Sequence, residues 1–157
     1  MRKRMIERDV QRASKTEHHW LNLATLAQVE ISSEEEAHPI ESALVPGSGP
    51  GWRAAESGEQ MLRLLFDEPQ RIGLVRLVFQ EDTLERTQEF VLRWSSDGGQ
   101  SYHDIARQQY NFSSPDSTRE LEDYSIDLNG VTTLELCIIP DISRGNARAS
   151  LAEWRIA

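Results

Sequence analysis

The sequence predicts an all-β fold, an eight-stranded antiparallel jelly-roll β-sandwich with a short N-terminal helical extension. Apolar and polar residues alternate over short runs, turn-forming Gly, Pro and Asn separate these runs, and no long helical pattern lies between them. Many short strands without intervening helices are typical of sandwiches and barrels. We therefore divide the 157 residues into an extension, residues 1–20, and a sandwich domain, residues 21–157.

The extension is polar and rich in good helix formers, with Ile6, Val10 and Ala13 as a thin apolar stripe. Three interpretations stay open for it: a frayed tail, a helix that docks on the domain or on a partner, and a basic nucleic-acid arm. Residues 1–19 carry a net charge of +3, and the remaining residues carry −12. This asymmetry supports an alternative function: a protein-interaction or homo-oligomerisation module without a small-molecule ligand, in which residues 1–19 pair with another copy or a partner.

The clearest strand signal is a hairpin in which Phe90, Leu92 and Trp94 share one face before the turn at Asp97-Gly98-Gly99. Glu68-Pro69 and Asn129-Gly130 punctuate other runs. The alternation predicts eight strands at residues 23–31, 61–66, 72–79, 88–95, 102–106, 119–128, 133–139 and 149–156.

Strand direction then sorts the connections. If consecutive strands run in opposite directions, alternate connections lie at the same end of the sandwich. The short ones, residues 67–71, 96–101 and 129–132, share one end with both termini. The long ones, residues 32–60, 80–87, 107–118 and 140–148, share the other. Binding residues are disproportionately found on loops held by a rigid scaffold, so the long-loop end is the candidate functional face.

Composition excludes several classes of protein. The acidic domain disfavours binding to nucleic acid or to an anionic membrane. Cys137 is the only cysteine and cannot form an intramolecular disulfide. There is no apolar stretch near the ~20 residues of a membrane span and no secretory signal pattern, so we expect a cytoplasmic protein. The hydrolase and metalloprotease motifs are absent, so we expect no enzyme activity.

Two of the long loops combine aromatic side chains with planar hydrogen-bonding groups. Trp52 and Arg53 follow a Gly- and Pro-rich run, where Trp52 either plugs the end of the barrel or forms a stacking platform. Residues 107–118 include Gln108 and Tyr110. Either this loop contacts a ligand, or Gln108, Gln109 and Asn111 hydrogen-bond the loop backbone while Phe112 packs inward. Aromatic faces beside amide and guanidinium groups suit sugar recognition. The predicted ligand-binding set is Trp52, Arg53, Arg86, Gln108, Tyr110 and Arg144.

The order of these features resembles the discoidin, or coagulation-factor type C, domain family, also called galactose-binding-domain-like. The resemblance covers about residues 22–157. The matching segments are Ala27-Gln-Val-Glu-Ile-Ser-Ser-Glu34, His38-Pro-Ile-Glu-Ser-Ala-Leu44, Gly51-Trp52, Leu62-Arg-Leu-Leu-Phe-Asp67 before residues 72–79, the Phe90 to Tyr102 hairpin, and Ala149-Ser-Leu-Ala-Glu-Trp-Arg-Ile156.

The resemblance implies a jelly roll whose loops opposite the termini bind carbohydrate, phospholipid headgroups or protein partners. Many members also hold a structural calcium through the loop after the Ala-Leu pair and a Glu in the last strand. Glu153 matches that Glu, whereas the loop after Ala43-Leu44 lacks the usual Asp-Gly. We therefore expect a non-catalytic module that binds a carbohydrate or similar polyol, with no required cofactor and calcium at Glu153 as an open alternative.

Overall fold

The computed structural model describes residues 19–157, so the predicted helix at the N-terminus lies outside the described residues. The elements, in chain order, are α1 (Leu23–Leu26), β1 (Ala27–Ile31), α2 (Glu41–Leu44), β2 (Trp52–Ser57), β3 (Gln60–Gln80), β4 (Arg86–Ser95), β5 (His103–Phe112), β6 (Arg119–Ile139), β7 (Arg148–Leu151) and β8 (Glu153–Ile156). All strand pairs are antiparallel. The predicted antiparallel β-sandwich is confirmed.

The two longest strands, β3 and β6, pair with each other and pass through both layers of the sandwich. Their first layer has the order β1-β3-β6-β4-β5, and β8 pairs with the second half of β3. Register shifts near residues 65–74 of β3 let this ribbon bend from one layer to the other. Phe79 of the second layer stacks on Phe90 of the first, with ring centroids 5.2 Å apart. The shared core lies between the layers.

Alternation determines which side chains enter that core. Leu62 and Leu64 of β3, like Leu134 and Leu136 of β6, are fully buried. Successive side chains in a strand point to opposite faces, so residues two apart fill the same layer of the core. Trp154 of β8 is also fully buried. The predicted alternation in these strands is therefore confirmed.

The predicted grouping of the connections is also found. At the short-turn end, Gln70 pairs with Val131, and the Gly98 N–H donates to Thr132 Oγ1 at 2.9 Å. The backbone N–H of Gly73 donates to the carbonyl of Ala157, so the C-terminus lies at the same end. At the long-loop end, Glu81 N donates to Thr118 O at 2.8 Å and Ile142 N donates to Thr87 O at 2.9 Å.

Several predicted boundaries are wrong, among them residues 149–156, which form two strands, β7 and β8, rather than one. Residues 23–31 begin with the helical turn α1. The predicted strands 61–66 and 72–79 form one continuous strand, β3, and the predicted strands 119–128 and 133–139 form another, β6. In both places bulges lie where turns were expected. Residues 52–57 form β2, which pairs with β7 and has only Trp52 and Ala54 as inward apolar residues. Strand β5 reaches Phe112 because its polar second half pairs along β4 as an edge strand. No described helix is long and apolar enough to cross a bilayer.

Candidate functional site

The long-loop end holds two clefts. The first, which we call the Arg53 cleft, has a volume of about 300 Å³ and lies between the β1–β2 loop, the β2–β7 ribbon and residues 80–83. The second, the Arg144 cleft, has a volume of about 710 Å³ and is lined by residues 139–142, Arg144, Gln109 and Glu89. The predicted ligand-binding residues are divided between these clefts, the protein interior and strand β5.

Two arginines of the Arg53 cleft come from neighbouring strands. Arg53 of β2 pairs with Ser150 of β7, and Arg148 lies two residues from Ser150. Arg148 and Ser150 share a face of β7, and a register shift between Arg53 and Ser57 pairs Arg148 with Ser57. The side chains of Arg53 and Arg148 are 51% and 43% exposed. The register of β2 on β7 therefore presents two guanidinium groups side by side to solvent.

One carboxylate orients both groups. Glu35 Oε1 lies 3.2 Å from Arg53 Nε and accepts a hydrogen bond from Arg148 Nη1 at 2.8 Å. The tight turn of residues 35–38 docks on β2, because Glu35 N donates to Arg53 O and Arg53 N donates to His38 O. His38 Nδ1 is 3.3 Å from Glu35 Oε2. Glu35 was not in the predicted set, because it lies in the run Glu34-Glu35-Glu36, whose sequence resembles a solvated charged surface.

Trp52 forms the floor beneath this cleft, and its prediction as a stacking platform is wrong. The side chain is 1% exposed, and Nε1 donates to Ser33 O at 3.0 Å. The preceding Gly51 has φ +110°, and a Cβ there would lie 2.7 Å from Leu151 O. The backbone at Gly51 thus lies close to the backbone at Leu151, and the indole of Trp52 is buried beneath them. The observed role of Trp52 is therefore the alternative one, a plug at the end of the barrel.

Arg86 is also buried, so the prediction that it contacts a ligand is wrong. Its Nε donates to Glu81 Oε1 at 2.8 Å, its Nη1 donates to Pro140 O at 2.8 Å, and its guanidinium lies 4.7 Å from the Phe112 ring centroid. Burial alone would raise the pKa of Glu81, but hydrogen bonds from Arg86 and from the backbone of Leu84 and Thr83 hold that pKa below its ordinary value. Arg86 therefore fixes the loops that border both clefts.

A buried polar network continues from Arg86 towards the core. Arg86 Nη1 also donates to Gln88 Oε1 at 3.3 Å, and Gln88 Nε2 donates to Glu120 Oε1 at 3.2 Å. Burial, followed by the hydrogen bond and negative charge of Glu122, raises the pKa of Glu120 to about 9. Burial and the charge of Glu122 therefore favour the protonated form of Glu120. The sequence did not single it out, since it is one of several acidic residues in residues 119–123.

The Arg144 cleft is the larger and less polar of the two. Pro140 and Ile142 form its apolar part, and Ile142 is 45% exposed. Arg144 has φ +69°, and its backbone N–H donates to Asp141 O at 2.9 Å. Across the cleft, Gln109 Nε2 donates to Glu89 Oε1 at 3.1 Å. Arg144 thus lines a cleft, although not the one that contains Arg53.

Gln108 and Tyr110 lie on the face of β5 opposite to Gln109, so they do not line the Arg144 cleft. Gln108 is exposed on this edge strand. The Tyr110 hydroxyl donates to Arg119 O at 3.0 Å, and its ring packs edge-on against Phe112 with centroids 4.9 Å apart. Tyr110 therefore packs within the loop region, Phe112 packs inward as the alternative interpretation had it, and neither Gln108 nor Tyr110 joins Arg53 or Arg144.

The described residues were also compared with the needs of a metal site. Within residues 19–157 no group of three or more His, Cys, Asp or Glu side chains is placed to bind a metal ion. Glu153 is 42% exposed on its side chain, and its Oε1 lies 3.9 Å from Arg155 Nη2. A hard cation such as calcium needs six to eight oxygen ligands, so Glu153 by itself is not a site.

Comparison with known proteins finds the same fold in solved carbohydrate-binding modules. No protein-family model matches the chain, and no curated protein matches it. The chain is similar to CBM32 of AlyQ in complex with 4,5-unsaturated mannuronic acid, with a TM-score of 0.63, 19% identity, and coverage of 89% of this chain and 98% of that one.

Two further solved structures have the same fold. CpGH89CBM32-5 from Clostridium perfringens, in complex with GalNAc-β-1,3-galactose, has a TM-score of 0.65 at 15% identity and covers 88% of this chain and 99% of that one. Chitosan-binding module 1 from a chitosanase/glucanase of Paenibacillus sp. IK-5 has a TM-score of 0.59 at 19% identity and covers 89% of this chain and 99% of that one. The chain therefore has the β-sandwich fold of these modules.

Proposed function

We propose that this chain is a non-catalytic carbohydrate-binding module, a divergent relative of the discoidin-like domains, that binds a saccharide in the Arg53 cleft. The observation that carries the proposal is the pair Arg53 and Arg148, held by Glu35 at the long-loop end of the sandwich. Both arginines come from paired strands, and sites on strands are held more accurately than sites on flexible loops. The fold shared with solved carbohydrate-binding modules supports the same conclusion.

The donors and acceptors of the cleft suit sugar hydroxyl groups. Each guanidinium has five N–H donors in a planar fork, and each hydroxyl both donates and accepts. Across the cleft, Asp82 supplies acceptor oxygens, one of which is oriented by a 2.7 Å hydrogen bond from Gln80 Nε2. A volume of about 300 Å³ is at the lower end of the range for ligand pockets. The cleft therefore suits one or two sugar rings bound by hydrogen bonds rather than by aromatic stacking.

The charge of the cleft favours a neutral saccharide. Glu35 offsets one of the two arginines, and Glu81 and Asp82 lie on the opposite wall. The net charge of −12 over residues 20–157 would also slow the approach of a polyanion. We therefore expect GalNAc-β-1,3-galactose to bind more tightly than a mannuronate oligosaccharide.

Calorimetric titration of the full chain with GalNAc-β-1,3-galactose, chitosan oligosaccharides and mannuronate oligosaccharides tests the proposal. A hydrogen bond from a charged group contributes about 1.5–3 kcal/mol, so Arg53→Gln or Arg148→Gln should weaken binding about 10- to 100-fold. Arg71→Gln is the matched control, because Arg71 lies at the opposite end of the domain and its side chain is 74% exposed. This variant should bind as the wild type does.

Three results would overturn the proposal in distinguishable ways. If Arg144→Gln weakens binding while Arg53→Gln does not, the saccharide occupies the Arg144 cleft. If a saccharide is bound and cleaved, as product analysis by chromatography would show, the module is catalytic. If no saccharide binds and deletion of residues 1–19 lowers the mass measured by light scattering, the chain is instead an oligomerisation module.

A further inference from the structure

The guanidinium of Arg155 lies between the last strand and the loop that leads to the Arg53 cleft. Arg155 is in β8, and its side chain is only 10% exposed. Nη1 donates to Ala43 O at 2.7 Å and lies 3.4 Å from Trp154 O. Ala43 belongs to the last turn of α2, where carbonyl groups have no partner within the helix. A fixed positive charge therefore holds α2 against β8.

The resemblance to discoidin-like domains implies a calcium in this part of the fold, and the residues present do not fit one. Calcium requires six to eight oxygens at 2.3–2.6 Å. Here Ala43 O accepts from Arg155, Glu41 O accepts from Val45 N at 2.9 Å, and Val45 O accepts from the Ser48 hydroxyl at 2.6 Å. The loop carbonyls thus have protein donors already.

The one matching carboxylate also faces a cation that the protein itself supplies. Glu153 and Arg155 are two residues apart on β8, so they share a face of the strand, and Glu153 Oε1 is 3.9 Å from Arg155 Nη2. A divalent ion bound to Glu153 would lie close to the guanidinium and be repelled by it. The residues present therefore do not fit a calcium ion, both because of the nearby positive charge and because too few oxygen ligands are free.

We propose that Arg155 replaces the structural calcium as a permanent cation that joins the α2 loop to β8, which makes the fold and its long-loop end independent of divalent metal. A guanidinium suits this role because it remains protonated at any pH a folded protein meets and donates several hydrogen bonds from a rigid plane. The loop after α2 runs through Pro50 to Trp52 and Arg53, so the same contact positions one wall of the Arg53 cleft.

Thermal unfolding of the full chain tests the proposal. The wild type should have the same Tm, within about 1 °C, in excess EDTA and in millimolar CaCl₂, because a ligand that does not bind the native state does not stabilise it. Arg155→Met keeps an unbranched stem of similar size but leaves Ala43 O without its charged donor. Its Tm should fall by about 5–10 °C. The Tm of Arg155→Lys should lie between those of the wild type and Arg155→Met, since lysine retains the charge but lacks the planar guanidinium.

Arg71→Met is the control variant, since this exposed ion pair with Asp127 should contribute little to Tm. The proposal is overturned if EDTA lowers or calcium raises the Tm of the wild type, or if equilibrium dialysis shows saturable calcium binding. It is also overturned if Arg155→Met has the same Tm as the wild type. The wild-type melts and the dialysis decide the matter even if the Arg155 variants do not fold.

Discussion

Replacing Glu120 by Gln should make the domain more stable, and more so as the pH rises. Glu120 is 2% exposed and accepts a hydrogen bond from Gln88, while the nearby cation Arg86 is already paired with Glu81. Burial and the neighbouring Glu122 favour the protonated carboxyl group and raise the pKa of Glu120 to about 9. Gln is uncharged at every pH and keeps an acceptor oxygen for Gln88, so it preserves the favourable state.

The size of the effect follows from proton linkage. In the unfolded chain a Glu has a pKa near ~4.3, so between about pH 5 and pH 8 the native state binds one proton that the unfolded state lacks. The stability that this proton contributes is complete below about pH 4.3 and is lost as the pH rises through about 9. The contribution of Glu120 to the free energy of unfolding therefore falls by about 1.4 kcal/mol per pH unit, or by up to about 4 kcal/mol from pH 5 to pH 8.

Urea unfolding of the wild type and Glu120→Gln at several pH values between about 5 and 8 measures this difference. We expect similar midpoints at the acid end and a growing advantage of the variant towards pH 8. Glu36→Gln removes an exposed carboxylate and serves as the matched control. Each variant is compared with the wild type at the same pH, so the pH dependence of the rest of the chain cancels. If the advantage does not change with pH, or if the variant is the less stable protein at pH 8, Glu120 is ionised and paired with Arg86, and the argument fails.

Three other substitutions and modifications test the assignment of buried side chains. Trp52→Ala should lower the free energy of unfolding by about 3–5 kcal/mol, since it empties a site that is 1% exposed, and an unchanged urea midpoint would contradict the plug. Arg86→Met leaves Glu81 without its cation and should cost about 3–5 kcal/mol at neutral pH; a loss below about 1 kcal/mol would mean that the network is not stabilising. Burial, followed by the charges of Glu59 and Glu135, raises the pKa of the Cys137 thiol, so iodoacetamide should alkylate it much more slowly in the folded chain than in urea, and equal rates would refute this.

The fold was predictable because alternation and strand direction are local properties of the sequence. Leu62 with Leu64 and Leu134 with Leu136 enter the core as the period of two requires. The grouping of long loops at one end follows from the antiparallel order alone, and it holds even though bulges make two pairs of predicted strands continuous. Each of these strands bends at its bulge from one layer into the other, so the chain reverses its direction along the sandwich, as it would at the expected turn.

The depth of a side chain within a loop was not predictable in the same way. Trp52 and Arg53 are adjacent in sequence, yet one is buried and the other is exposed, because β2 forms only when β7 pairs with it. Arg86 is buried by Phe112 and Pro140, which lie far from it in sequence. Tertiary pairing decides these outcomes, and a single sequence without its register contains no sign of it.

The acidic run Glu34-Glu35-Glu36 shows most clearly why the candidate site was only partly visible in the sequence. Glu34 Oε2 accepts a hydrogen bond from Ile40 N at 2.8 Å, Glu35 holds Arg53 and Arg148, and Glu36 is exposed. The turn that pairs Glu35 with His38 gives three identical residues three different surroundings. Arg148 is 113 positions from Glu35 and approaches it only through the pairing of Arg53 with Ser150. The pair of arginines that we propose to bind a saccharide is therefore a product of the β2–β7 register, and the residue that orients them resembles any other surface charge until that register is known.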